Sequence, residues 1–324
     1  MAKDLIVTPD LSSGGMVQRL LKMTGRSTTG VFACFEDMTF GPLVPTVEPE
    51  ELLRLRHRHW CRSGLSTARN RPRGSRPLRA LLTDADRVEI MVGGEGREQL
   101  FLLSLATLLR KTAREGRVVS LFQYPAESSL SMLNLEALAK RPKPTVLDRK
   151  ALNQLLEVWD IIVSDTPKPV FDLRNARIDS RLPTNISRAL DDLILSYPHV
   201  DSGLTFAQER LLTALPTDWT NAAKVVGDAM LGAMREGRSI GDGLIYMTLL
   251  ELSDQSQPTP AIKLRGDRRT ARACEVRRTA FGEACLNGEA NNVSTNGIDT
   301  WVAGVHLNSM EGRVWFRNSN GTLA

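Results

Sequence analysis

Short apolar strands alternate with helices over the first 122 residues, acids and small polar residues follow those strands, and a helix-rich remainder ends in a basic two-stranded ribbon. Together these observations predict an α/β N-terminal domain with a parallel, Rossmann-like sheet, followed by a mostly α, winged-helix-like C-terminal domain. The 324 residues suit two domains of roughly 100–200 residues each. We place the first at 1–140 and the second at 141–324, because Lys140-Arg141-Pro142-Lys143-Pro144 cannot continue a helix.

The strand candidates are Leu5–Val7, Val31–Phe35, Arg87–Val92 and Arg117–Phe122, each short, apolar and flanked by Gly, Asp or Pro, as buried parallel strands are. Between them the spacing predicts helices at Met16–Met23, Pro49–Cys61, Pro77–Leu82 and Arg97–Arg114. Helical periodicity then dominates, most clearly at Leu147–Val163 and Asn185–Tyr197. At about 202–290 three helices, Phe206–Leu215, Asn221–Arg235 and Ile240–Leu252, precede the ribbon Ala261–Leu264 and Ala273–Arg277, which is the order of a winged helix-turn-helix. A dense block from Asn296 to Leu307 closes the chain; in it the Asn-Gly pair predicts a tight turn, Asp299 a cap, and His306 a strand residue with Asp299 as its nearest carboxylate.

Apolar residues make up 42% and charged residues 24% of the chain, shares that exclude a largely disordered protein. No stretch approaches the roughly 18 apolar residues that span a bilayer. The N-terminus has no apolar run behind a basic segment, so a cytoplasmic protein without a membrane partner is expected. Cys34, Cys61, Cys274 and Cys285 are too dispersed for a disulfide framework and read as free thiols. His57, His59 and Cys61 alternate on a helix, where positions two apart diverge, so no metal site is assigned there. Nine arginines and no acid lie between Arg54 and Arg79, a block suited to a solvated face, a phosphate, nucleic acid or an acidic partner.

The chemistry concentrates where ligands bind in open α/β sheets, just beyond the strand ends. Asp10, Asp37 and Glu95 are the candidate catalytic residues, as proton acceptors or as holders of a magnesium-bound phosphate. Ser12, Ser13, Gly14 and Gly15 open a helix whose amides and hydroxyls could hold an anion. Gly41, Glu98 and Gln99 complete the candidate binding set, the last two in the first turn after Gly93-Gly94-Glu95-Gly96. Neither a dinucleotide fingerprint nor a phosphate loop is present. Each of these residues also has a plainer use, since helix caps and turns favour the same types.

With these segments in view, the chain resembles a bacterial family known as domain of unknown function 1835. The likeness rests on Val7-Thr8-Pro9-Asp10-Leu11-Ser12-Ser13-Gly14-Gly15, on Asp37-Met38-Thr39-Phe40-Gly41-Pro42, on Glu98-Gln99-Leu100 and on the block from Asn296 to Leu307. It implies an α/β N-terminal domain and a helical, winged-helix-like C-terminal region, and brings no established activity. The chain departs from the family pattern at Gly93, Gly94 and Gly96, where relatives often carry acids or histidines.

Two functions follow as expectations. In the first, the protein binds a nucleotide or another phosphorylated or anionic metabolite at the carboxyl edge of the sheet, with group transfer or hydrolysis as candidate reactions, a divalent metal such as magnesium as candidate cofactor, and arginines of the block as a lid. In the second, it is a ligand-sensing DNA-binding regulator, with nucleic acid as partner. The third predicted helix offers an acid and an apolar surface to such a duplex, while the ribbon is basic. A homodimer fits either.

Overall fold

The computed structural model describes residues 3–26, 28–34, 38–44, 49–62, 77–113, 116–125, 129–176, 182 and 186–324. Its central sheet has the order β2-β1-β3-β4-β5. Strands β1 (Asp4–Thr8), β2 (Gly30–Ala33), β3 (Arg87–Val92) and β4 (Val118–Gln123) run parallel, and the two-residue β5 (Thr145–Val146) closes one edge antiparallel. The sheet is therefore mixed and mostly parallel. Successive strand residues point to opposite faces, so Ile6, Met91 and Phe122 serve one core while Leu5, Val7, Val88 and Ile90 serve the other.

The first core is covered by α1 (Leu11–Met23), which brings Val17 and Leu21, and by Leu138 of the short α5 (Leu135–Ala139). On the opposite face lie α2 (Pro49–Arg62), α3 (Leu78–Asp84) and α4 (Gly96–Lys111). Helix α4 buries residues on every side, Leu100, Phe101, Leu102, Leu103 and Leu105 among them. A helix apolar all round must be enclosed, and α4 is: outside it pack α6 (Arg149–Ile162) and α8 (Ile186–Leu195), with α7 (Lys168–Asn175) alongside. The core of the sheet thus runs on past residue 140 into the helices that follow. Gly96 permits the approach of α8, because a Cβ there would overlap the Asp192 carboxylate and come within 3.0 Å of the Arg188 carbonyl oxygen.

A separate core forms between 204 and 286. It joins α9 (Phe206–Ala214), β6 (Thr220–Asn221), α10 (Ala222–Arg235), α11 (Asp242–Leu252), β7 (Ile262–Gly266), β8 (Cys274–Arg278) and α12 (Ala280–Leu286). The strands make an antiparallel sheet of order β6-β8-β7, one strand more than the ribbon expected.

Past α13 (Asn292–Asn296), the closing block places His306 in a strand beside Asp299 as expected and differs in its turn and its cap. Its Asn-Gly pair ends α13, with Gly297 at φ 77°, instead of turning a hairpin. The hairpin of β9 (Asp299–Val302) and β10 (Val305–Asn308) turns at Ala303-Gly304, with Ala303 at φ 51°. Asp299 caps nothing; it bonds His306 Nε2 at 2.7 Å across the pair, and Trp301 stacks on the same imidazole with centroids 4.6 Å apart. The hairpin also returns to the N-terminal region, where Leu43 N donates to Ala303 O at 2.9 Å.

All four cysteines are free. No helix among the described residues is long and apolar enough to cross a membrane.

Candidate functional site at the carboxyl edge of the sheet

From β1 the chain passes to β2 on one side and then to β3 on the other, so the strand order reverses between β1 and β3. At such a switch point the two crossovers diverge and leave a crevice beyond the carboxyl ends. Asp10 follows β1 and Glu95 follows β3, as the sequence led us to expect. Arg97 joins them, with Nε 3.0 Å from Glu95 Oε2 and Nη2 4.0 Å from Asp10 Oδ2. The same guanidinium donates to Ser129 Oγ at 3.2 Å and Ser131 Oγ at 3.4 Å, past the end of β4. Side-chain exposures of 25% for Arg97, 24% for Asp10 and 17% for Glu95 leave the group open to solvent on one side.

Local chemistry explains each position. Asp10 is the N-cap of α1: Oδ1 accepts from Ser13 N at 2.7 Å and Oδ2 from Ser13 Oγ at 2.9 Å. Because that cap starts the helix at Leu11 and not at Met16, the anion-holding role expected of Gly14 and Gly15 is corrected. Gly14 N donates to Asp10 O at 3.0 Å, and Gly15 stands in the second turn, where amides bond back along the helix. Gly14 serves close packing instead, since a Cβ there would overlap Ala33 Cβ. Leu11 and Ser12, both exposed, carry the amides at the open end of α1, and the buried Ser13 hydroxyl is spent on Asp10.

Glu98 and Gln99 also need correction, for both are fully buried and face no ligand space. After Gly93 and Gly94 the chain turns tightly enough for the first turn of α4 to fold beneath its own entry. Glu98 accepts there from Gly93 N, from Ser129 Oγ at 2.6 Å and from Leu130 N at 2.9 Å, and Gln99 Nε2 donates to Gly93 O at 2.7 Å. Burial holds the Glu98 carboxyl above its ordinary value, against the pull of those donors. Glu98 is thus a positioning residue: it fixes Ser129, which in turn meets Arg97.

Gly41, at φ 82°, is packed against α2, where a Cβ would lie 3.1 Å from His59 Cδ2. Asp37 lies outside the described residues, as do 63–76 of the arginine block. Arg56 of that block points inward, fully buried, with Nη1 3.2 Å from Pro42 O. Cys61 Sγ is 3.6 Å from His57 Nε2, one helical turn away, whereas His59 faces Phe40.

Among the described residues no group of three or more His, Cys, Asp or Glu side chains gathers as a metal set. The Asp10 oxygens already serve Ser13, and the Arg97 guanidinium supplies the positive charge between the carboxylates. Sequence reasoning missed Arg97, although it is the one basic residue from Gly93 to Gln99.

A second concavity, about 520 Å³, opens between the sheet-bearing part and the three-helix unit. Phe40 from the loop after β2, α11, α13 and β9 contribute to its wall.

No family model matches the chain, and no curated protein is detectably similar to it. Among solved structures it is similar to the DNA-binding, cleavage and re-ligation domain of Plasmodium falciparum topoisomerase II, at 12% identity and a TM-score of 0.38. The match covers 86% of this chain and 47% of that one, so the chain spans about half the length of the structure it matches. At that score the likeness says nothing about this chain's chemistry.

Proposed function

We propose that the protein binds a small metabolite carrying a phosphate or carboxylate at the switch point of its sheet, with Arg97 as the anion contact. One observation carries this reading: a part-exposed guanidinium, reached from three strand ends, sits beyond β1 and β3, where their crossovers diverge. Arginine presents a planar fork of donors suited to such oxyanions. Asp10 and Glu95 hold the fork in place, and the Ser129 and Ser131 hydroxyls and the amides of Leu11 and Ser12 are the further donors within the crevice. Either carboxylate, once the ligand draws Arg97 away, is placed to accept a proton in a transfer or hydrolysis step.

Titrations with AMP, inorganic phosphate and citrate, with and without magnesium, test the reading. At least one is expected to raise the melting temperature saturably, and Arg97→Gln should weaken it about tenfold, as loss of a charge-assisted hydrogen bond implies. No shift with any of the three, or an equal shift in the variant, would overturn the proposal.

The order α9, β6, α10, α11, β7, β8 supports reading this unit as winged-helix-like, an arrangement used to read DNA. Two features argue against that use. Helix α11, in the groove-reading place, buries Ile245, Met247 and Leu249 and carries Asp242 and Glu251 with no basic residue. On the ribbon, Arg265 pairs with Glu275 at 2.7 Å and Arg269 with Asp267 at 2.6 Å, which spends charge a phosphate backbone would need. We read the unit as the outer wall of a cleft.

A further inference from the structure

The 520 Å³ cleft has an uneven balance of hydrogen-bonding groups. Three of its acids are engaged: Asp192 pairs with Arg238, Asp254 Oδ1 accepts from Ser256 N at 3.0 Å, and Asp299 bonds His306. The fourth, Glu251 on α11, has no hydrogen-bond or ionic partner among the described residues. Its side chain keeps accessible surface through the cleft, yet the protein around it pushes the carboxyl up to about 7. Nearby on the same wall Gln257 Oε1 is shut off from solvent without a donor. Both unmet groups are acceptors.

Charge points the same way. Four acids and one arginine line this space, a balance that disfavours anions and draws cations. Phe40, Leu244 and Trp301 add an apolar wall beside the acids, as ligand pockets commonly combine apolar lining with a few polar groups.

We propose that this cleft is a second binding site, taking a small amphipathic organic cation whose ammonium, amidine or guanidinium nitrogen meets Glu251 while its apolar part lies along the Phe40, Leu244 and Trp301 wall. The site is separate from the switch point and its ligand is of opposite charge. A cation arriving at Glu251 favours the ionised carboxylate and drives a proton into solvent near neutral pH. The other charged groups on the wall are Asp192, Arg238, Asp254 and Asp299, the last bonded to His306.

Benzamidine, benzamide and benzoate share one ring and differ in charge, so calorimetric titration of the full-length Arg97→Gln chain, whose switch-point anion contact is removed, with each tests the assignment. Benzamidine is expected to bind saturably, benzamide more weakly and benzoate not at all. Its binding enthalpy should vary with buffer ionisation near neutrality, as proton release requires, and its affinity should fall as the pH drops below about 7. Glu251→Gln should weaken benzamidine about tenfold, the effect of removing a charge-assisted hydrogen bond. Ser239→Trp, which fills the cleft from the loop before α11, should abolish binding and covers the case of a poorly folded Glu251 variant. Benzoate binding as well as benzamidine, or benzamidine affinity unmoved in either folded variant, would overturn the proposal. Benzamidine carries no anionic group, so its failure leaves the switch-point reading to its own titrations.

Discussion

Replacing Gly304 by alanine is expected to destabilise the protein by about 3 kcal/mol, at the upper end of what overpacking usually costs. A Cβ at this position would overlap the carbonyl groups of Val163 and Ser164, which belong to the backbone and cannot rotate away as a side chain could. Gly304 N also donates to Ile162 O at 3.3 Å, so relief by retreat would cost a hydrogen bond. Because Val302, Ala303, Val305 and Leu307 of the same hairpin are core residues, the strain should spread into the sheet's main core. Urea unfolding would show a lower midpoint at an unchanged slope. An unfolding curve matching that of the native chain would mean the hairpin is not docked as described.

The second large effect is expected at Glu98. Truncation to alanine strands Gly93 N, Ser129 Oγ and Leu130 N in a dry interior, and buried donors without acceptors carry a penalty of about 1–3 kcal/mol each. We expect a loss of about 3 kcal/mol or more, with Glu98→Gln intermediate because one acceptor oxygen survives. The damage should also reach function, since the loop that Glu98 fixes brings Ser129 to Arg97. A response to the anionic titrants that survived intact in Glu98→Gln would separate the loop from the site. The pH dependence has a defined sign. The folded carboxyl lies above its ordinary 4.5, so the stabilising share tied to its protonation is fully present below that value and is lost as pH rises through the folded one. Urea midpoints measured across that interval should fall in the native chain and lose this component in Glu98→Gln.

What was legible in the chain, and what was not, follows from the range of the interactions. The strand at Arg87–Val92 was legible to the residue, because a run buried on both faces has no other stable place. Asp10 and Glu95 could be brought together from the order of residues alone, since each follows a strand and neighbouring parallel strands deliver their ends to one edge. Glu98 and Gln99 could not be oriented. A polar first turn reads the same whether it meets solvent or tucks beneath a glycine turn, and only the Ser129–Leu130 loop decides. Gly14 and Gly15 were misread for a smaller reason, that Asp10 starts α1 directly and leaves no turn between strand and helix. The cleft was out of reach because Phe40, Glu251 and Trp301 are far apart in sequence and no local pattern joins them.

The docking of β9 and β10 into the core that begins with Leu5 has a consequence for biosynthesis. Translation delivers the first strand roughly three hundred residues before the hairpin that completes its packing. Until that hairpin has been made and has docked, the nascent polypeptide holds an unfinished interior with apolar surface uncovered. Stalled chains ending before residue 299 should be cut by protease far faster than chains that extend through the hairpin. A chaperone that shields the early portion would find its longest engagement here.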